Sequence, residues 1–191
     1  KMRVITGLAR GRKLKEPEGV AIRPTSDMVK ESIFNIIQYD VEGRSVLDLF
    51  AGTGQLGIEA LSRGAATVTF VDESASAIKL VKENLKRTEL PGGKTVLGDA
   101  LKFLEHPGKF DLIFIDPPYA TGLMNKSLQK IFEFDKLNEN GIIMCESKKD
   151  LEMPEPLHPY KKLREYRYGK VKITVYMRLS RLSGSQSRTD E

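Results

Sequence analysis

Four carboxylates punctuate this chain at the ends of short apolar runs: Asp48 after Val46-Leu47, Asp72 after Thr67–Val71, Asp99 after Lys94–Leu97 and Gly98, and Asp116 after Asp111–Ile115. One acidic strand end can be a surface accident. Four in order suggest a ligand-binding rim, because an open α/β sheet receives ligands outside the carboxyl ends of its strands. The fourth is the most informative, since it opens Asp116-Pro117-Pro118-Tyr119. Two prolines stiffen the backbone and remove two donors. What remains is the Asp116 carboxylate beside carbonyls, notably that of Pro117, a rigid array of acceptors suited to a planar NH2 group. Such an amine is a poor nucleophile while its lone pair is delocalised. Accepting its protons and turning the nitrogen out of conjugation raises electron density where attack must occur. Tyr119 adds a face on which a base can stack, worth about 1–3 kcal/mol. The bland alternative is a Pro-Pro-Tyr strand end at the surface.

The element that must position these groups is Val46–Gly57. It starts as a short apolar run, breaks into Gly52-x-Gly54-x-x-Gly57, and continues as the good helix formers Ile58–Arg63 closed by Gly64, the pattern of strand, turn and helix. Gly52 and Gly54 let backbone turn sharply and approach a ligand closely. A dinucleotide is the first reading of that spacing. Asp48, inside the strand end, instead suits a ligand with a cationic amine, and S-adenosylmethionine (SAM) carries one beside its sulfonium. Asp48 and the glycine loop would hold the methionine part. Asp72, one βα unit later, would accept hydrogen bonds from ribose hydroxyls. Asp99 with the Ala100 backbone would reach the adenine edge, or would simply cap the helix that follows.

With 191 residues and 40% hydrophobic content, one domain with a full core is expected. The net charge of +5 and a pI near 9.2 mildly favour a polyanionic partner. The single cysteine, Cys145, excludes a disulfide framework and a cysteine-rich zinc site, and fits a reducing cytosol. No apolar run approaches membrane-spanning length and no signal peptide is visible, so a cytoplasmic protein without membrane contact is expected. Lys1 before Met2 reads as an expression remnant. The polar tail from Ser183 reads as disordered or vector-derived. His106 and His158 stand beside Pro107 and Pro159 in expected loops, and no metal-ligand cluster emerges.

Residues 3–15 predict a small hairpin about Gly7 and Gly11, crowded by Arg3, Arg10, Arg12, Lys13 and Lys15 with no acid before Glu16. This is either a solvated arm or a phosphate-gripping surface. Arg23-Pro24-Thr25 leads to Ser26 or Asp27, which cap a helix with Val29, Ile33, Ile36 and Ile37 on one face. Strands are expected at 67–71, 94–97, 111–115 and 141–145. They alternate with helices from Ser74, from Ala100 to Leu104, and from Leu123 to Ile131. A closing antiparallel hairpin pairs 161–167 with 171–177 about Tyr168-Gly169. Repeated strand–helix units imply a parallel sheet covered on both faces.

The glycine loop with Asp72, Asp99 and Asp116–Tyr119 resembles the class I SAM-dependent methyltransferases, in particular the amino-methylating group with Asn/Asp-Pro-Pro-Tyr/Phe. Gly7–Leu14, Arg23–Asp27, Asp48–Gly54, Gly57–Gly64 and Glu146-Ser147 narrow the resemblance to the bacterial RsmD-type family. That family methylates the guanine N2 amine of small-subunit ribosomal RNA. The likeness covers roughly residues 3–178. It implies a Rossmann-like α/β fold with a seven-stranded, mostly parallel sheet, helices on both faces, and a C-terminal hairpin whose last strand inserts antiparallel. Residues 23–179 would form the methyltransferase domain, 1–22 a basic hairpin or arm touching RNA, and 180–191 a tail. The expected SAM contacts are Asp48, Phe50, Ala51, Gly52, Gly54, Asp72, Glu73, Asp99, Ala100 and Asp116. The catalytic group is Asp116, Pro117 and Tyr119. The RNA contacts are Arg3, Arg10, Arg12, Lys13 and Arg23. The implied partner is 16S ribosomal RNA in an assembled or partly assembled small subunit, met by a monomer without a metal. Competing readings are a methyltransferase for adenine N6 or a glutamine amide, an NAD(P)-dependent oxidoreductase, and a ribosome-assembly RNA-binding module that keeps the methyltransferase fold.

Overall fold

A computed structural model describes residues 2–17 and 26–180. Lys1, the Arg23-Pro24-Thr25 lead and the tail from 181 lie outside the described residues. Seven strands form one sheet: β1 (Ser45–Leu49), β2 (Thr67–Asp72), β3 (Gly93–Leu97), β4 (Phe110–Ile115), β5 (Leu137–Lys148), β6 (Tyr160–Tyr168) and β7 (Val171–Arg178). Their order is β3-β2-β1-β4-β5-β7-β6. The first five pair in parallel, and β7 pairs antiparallel with both β5 and β6. The helices are α1 (Asp27–Ile36), α2 (Gln55–Ser62), α3 (Ala75–Thr88), α4 (Ala100–Glu105) and α5 (Leu123–Glu133).

Side-chain alternation divides the core in two. Val46, Phe70, Phe114 and Met144 face one layer, which includes residues of α1 and α2. Leu47, Leu49, Ile113, Ile115 and Cys145 face α4 and α5. β7 lies inside the sheet because every residue from Val171 to Tyr176 is buried. β6, with exposed Lys161, Arg164 and Arg167, takes the edge, where charge discourages pairing with another chain.

Three local expectations are revised. In α1, Ser26 does cap, accepting from Val29 N–H at 3.3 Å. The buried face, however, is Val29, Lys30, Ile33 and Phe34, with Ile37 just beyond the helix, while Ile36 is only partly buried. β5 begins at Leu137 instead of 141. Asn138–Gly141 forms an irregularity between the Phe110–Leu137 and Leu112–Ile142 pairs, and Asn140 takes a φ of 59°. The extra residues before Ile142 are accommodated as a bulge that keeps the two strands paired.

The third concerns the N-terminal hairpin. It is held by the Arg3–Lys13 bridge and by the bonds Val4 N–H to Arg12 and Leu14 N–H to Met2. Met2, Val4, Ala9 and Leu14 are buried in the same core layer as α1 and α2. Glu59 and Ser62 of α2 supply the polar anchors. Glu59 accepts from Ile5 N–H (2.8 Å), Thr6 N–H (2.9 Å) and Arg63 Nε (2.9 Å). Lys30 Nζ lies 3.9 Å from Glu59 and donates to the Arg3 carbonyl at 2.6 Å. The Lys30 and Glu59 side chains are fully buried, and burial of Lys30 lowers its pKa against the opposing pull of Glu59. Gly7 fits here for two reasons: its φ is 89°, and a Cβ would stand 1.8 Å from the Ser62 carbonyl oxygen.

That contact makes a paired prediction. Gly7→Ala should destabilise the protein by about 3 kcal/mol or more, combining the left-handed conformation with a backbone clash. Gly11→Ala, at a φ of 80° with no atom within 4 Å of the added Cβ, should cost only about 1 kcal/mol. Urea unfolding of both variants measures the difference, and equal losses would contradict the docking.

Candidate active site

The site grows from the β1–α2 connection. Asp48 is 3% exposed and accepts from Gly57 N–H at 2.9 Å, so the strand end is tied to the first turn of α2. Phe50 then adopts a φ of 67°, followed by Gly52 at 55° and Gly54 at 77°. A non-glycine residue in that region holds strain, which collects at functional sites. Gly54 N–H donates to the Ala51 carbonyl at 2.7 Å and closes the turn. Gly57 has no Cβ to spare: one would lie 2.3 Å from the Phe70 ring. Its absence lets α2 lie directly on β2.

Asp72 braces the same loop. One carboxylate oxygen accepts from Gly52 N–H and the other from Ser74 N–H, each at 2.9 Å. Each oxygen retains a lone pair for a further donor. Asp99 is the N-cap of α4, accepting from Lys102 N–H at 2.8 Å, so its capping reading holds in geometry. It still lines the cavity.

That cavity, about 710 Å³, sits at the carboxyl ends of β1, β2, β4 and β5. Asp48, Phe50, Ala51 and Gly52 line it, as do Asp72, Glu73, Asp99, Ala100 and Asp116 to Tyr119. The structure therefore gathers nine of the ten expected cofactor residues on one wall set. Gly54 is not among the lining residues; a Cβ there would stand 3.1 Å from Val81 and 3.4 Å from Ile58. Pro117 is buried, and a turn through Ala120 (φ 62°) and Gly122 (φ 71°) follows Tyr119, with Thr121 Oγ1 donating to the Pro118 carbonyl at 2.8 Å.

Sequence reasoning missed several lining residues. Lys15 and Glu83 form a 2.8 Å ion pair at the rim. Beside the cavity-lining Tyr119, Lys148 at the end of β5 stands 5.5 Å from the ring centre. Glu146, 7% exposed, lines the cavity from β5. A polar residue after the apolar run Ile142–Cys145 was the available signal, the same one that marked the other strand ends.

The basic residues are distributed differently. Arg12 bonds Glu89 at 2.9 Å and the Arg87 carbonyl at 3.0 Å. Glu89 is six residues along α3 from the cavity-lining Glu83, about 9 Å at the helical rise per residue. Arg3 approaches Asp27 at 3.7 Å. Arg10 and Lys13 are exposed on the hairpin. Arg23 lies outside the described residues. His106 and His158 are both exposed. Among the described residues no helix is long and apolar enough to cross a membrane.

Burial pushes the Asp48 carboxyl up to about 7, the charge of Asp72 adds to the rise, and the Gly57 N–H opposes it. Among the described residues no cation pairs with Asp48. A buried carboxylate without a counter-charge is unfavourable, and a bound cationic amine would relieve it.

A β3-β2-β1-β4-β5-β7-β6 sheet with an acidic rim around a strand–glycine turn–helix unit defines the Rossmann-like fold of class I methyltransferases. The Escherichia coli structure described as "Putative methyltransferase yhhF" superposes with a TM-score of 0.84 at 32% identity, over 93% of this chain and 97% of that one. The family model described as "Conserved hypothetical protein 95" matches residues 2–177, and the chain belongs to this family, the RsmD family. The Bacillus subtilis protein named "Putative rRNA methyltransferase YlbH" is 43% identical over 92% of this chain and 98% of its own length. Escherichia coli "Ribosomal RNA small subunit methyltransferase D" is 32% identical over 93% and 90%.

The raised Asp48 pKa has a consequence for the ligand-free protein. Its carboxyl binds a proton more tightly folded than unfolded, so stability is lost as pH rises from about 4 toward 7. Asp48→Asn should therefore be more thermostable than wild type at pH 8, by at most about 4 kcal/mol. The two should converge below about pH 4. Thermal unfolding across that range checks this, and a gap independent of pH would contradict it.

Proposed function

We propose that this protein transfers the methyl group of SAM to the exocyclic N2 amine of a guanine in small-subunit ribosomal RNA. The observation that carries the reading is the meeting, in one cavity, of the Asp48–Gly52 cradle with the Asp116–Tyr119 array. Relatives named as ribosomal RNA methyltransferases, matched over nearly their whole length, support RNA as the substrate. The solved structure of a more distant neighbour, described as a putative methyltransferase, is complexed with SAH.

In this reading Asp48 and the backbone of Phe50–Gly52 hold the amino-acid end of SAM. Gly54 shapes that turn. Asp72 and Glu73 meet the ribose, and Asp99 and Ala100 the adenine. When bound, SAM supplies an activated methyl group on a positively charged sulfur. Asp116 and the Pro117 carbonyl accept the hydrogens of the target amine and aim its lone pair, while Tyr119 stacks on the ring. The base must leave its helix to reach them. Catalysis is then mostly positioning, to a separation of about 3–3.5 Å. The proton released from nitrogen passes to Asp116 or to water.

The substrate is an assembled or partly assembled small subunit, engaged by a monomer in the cytoplasm. Arg3, Arg10, Arg12, Lys13 and Arg23 grip its phosphates. Lys15, two residues beyond Lys13, lines the cavity rim, so the hairpin's contacts would grip RNA beside the mouth of the cavity.

Labelled SAM incubated with small subunits from a strain lacking this protein, then digested to nucleosides, should place label in N2-methylguanosine. Asp116→Ala should lower that turnover by about 100-fold or more while SAM affinity changes little. Label in another nucleoside would overturn the guanine reading. Loss of SAM binding in the variant would make Asp116 structural. Replacing Arg10, Arg12 and Lys13 together with Ala should weaken RNA binding and reduce its salt slope by about 2. An unchanged slope would put the RNA surface elsewhere.

A further inference from the structure

The mechanism above leaves one buried carboxylate of the cavity unused. Glu146 is 7% exposed and lines the same space as Asp116, Pro117 and Tyr119. Its position is set by the sheet. Ile115 of β4 lies opposite Cys145 of β5, so the next residue on each strand, Asp116 and Glu146, comes side by side across one strand spacing of about 4.8 Å. Met144 belongs to the core layer beneath α1 and α2, and Asp48 sits opposite Phe114, itself opposite Met144. By alternation Glu146 is therefore on the Asp48 side of the sheet, two residues farther along the strand direction. On β7 its partner is Ile173, so the strand on its other side offers an apolar neighbour.

We propose that Glu146 reads the base: with the target amine held at Asp116, its carboxylate accepts the N1–H of guanine. The inference rests on the guanine reading above and adds its specificity. In guanine and adenine alike the exocyclic amine is bonded to a carbon next to N1. In guanine N1 carries a hydrogen and donates. In adenine N1 is a bare lone pair. A carboxylate beside Asp116 pairs with the first and repels the second, so the site separates the guanine N2 amine from the adenine N6 amine. A glutamine side chain has no donor in that place at all. Glu146 is then a specificity residue that touches the base without touching the transferred methyl group. Sites built around a substrate donor reject analogues lacking it far more strongly than apolar pockets reject a missing methylene.

The experiment uses the full chain and small-subunit RNA carrying either guanine or 2-aminopurine at the modified position, located beforehand by nuclease-fragment mapping of the labelled RNA. 2-Aminopurine keeps the amine, but its N1 is an acceptor. Wild type should methylate it about 100-fold less efficiently than guanine, read as kcat/KM. In Glu146→Gln the side-chain NH2 can donate to that N1, so the guanine preference should shrink by about tenfold or more. The ratio of ratios cancels the loss of O6, which both enzymes experience equally. The same preference in both enzymes would overturn the proposal. Should Glu146→Gln fail to fold, Glu146→Ala, which neither accepts from N1–H nor repels a bare N1, takes its place, and an unchanged guanine preference in it would equally overturn the proposal. If wild type forms no N2-methylguanosine on the guanine RNA, it is the functional reading that fails.

Discussion

Helix α2 lies so close to the sheet that a single added carbon at Gly57 would strike Phe70 at 2.3 Å, and the rest of the site depends on that approach. It brings the Gly57 N–H within 2.9 Å of Asp48, which is how a carboxylate is accommodated in a strand that is otherwise apolar. It also forces the connection between β1 and α2 into a tight path, with Phe50, Gly52 and Gly54 all at positive φ. Asp72 then ties that path to β2 through Gly52 N–H. Loop, strand ends and helix are thus one hydrogen-bonded unit. Its rigidity lets it keep backbone exposed to a ligand without collapsing onto itself.

The far end of α2 performs a different task with the same economy. Glu59 and Ser62 receive or meet the backbone of residues 5–9, so the N-terminal hairpin is bound through main-chain groups that any sequence supplies. Its apolar residues then enter the common core. The cost of burying Glu59 is offset by two backbone N–H groups, Arg63, and the nearby ammonium of Lys30. A comparable anchor stands at the other edge of the molecule. Arg178 at the end of β7 grips Asp135 with two bonds, at 2.7 and 2.9 Å, and Tyr160 adds a third at 2.9 Å. These partners hold the Asp135 carboxyl well below the usual carboxylate range. The last strand is therefore fastened beside the turn that leads into β5, and β5 carries Glu146 and Lys148.

Charge is segregated to match. Acids ring the carboxyl ends of the strands around the cavity. Basic residues lie on the hairpin flank and on exposed β6. Lys148 stands 5.5 Å from the centre of the Tyr119 ring.

Much of this was legible in the sequence. Apolar runs ending in Asp48, Asp72, Asp99 and Asp116, with glycines at 52 and 54, gave the parallel strands, their order of use and the wall of the cavity. Such features are local: each depends on a short run and the turn after it. What tertiary structure decided were pairings between distant segments. Glu59, Ser62 and Lys30 read as ordinary helix residues, and only the docking of the hairpin makes them buried anchors. Asp99 could cap or bind, and the fold gives it the cap while leaving it at the cavity. Arg12 read as a free cation until α3 presented Glu89. Glu146 ended an apolar run as the other acids did, but the run alone did not say which strand end it would stand beside. Its neighbour Asp116 comes from a segment thirty residues earlier, and only the β4–β5 register, set by burial of both strands, brings the two carboxylates together.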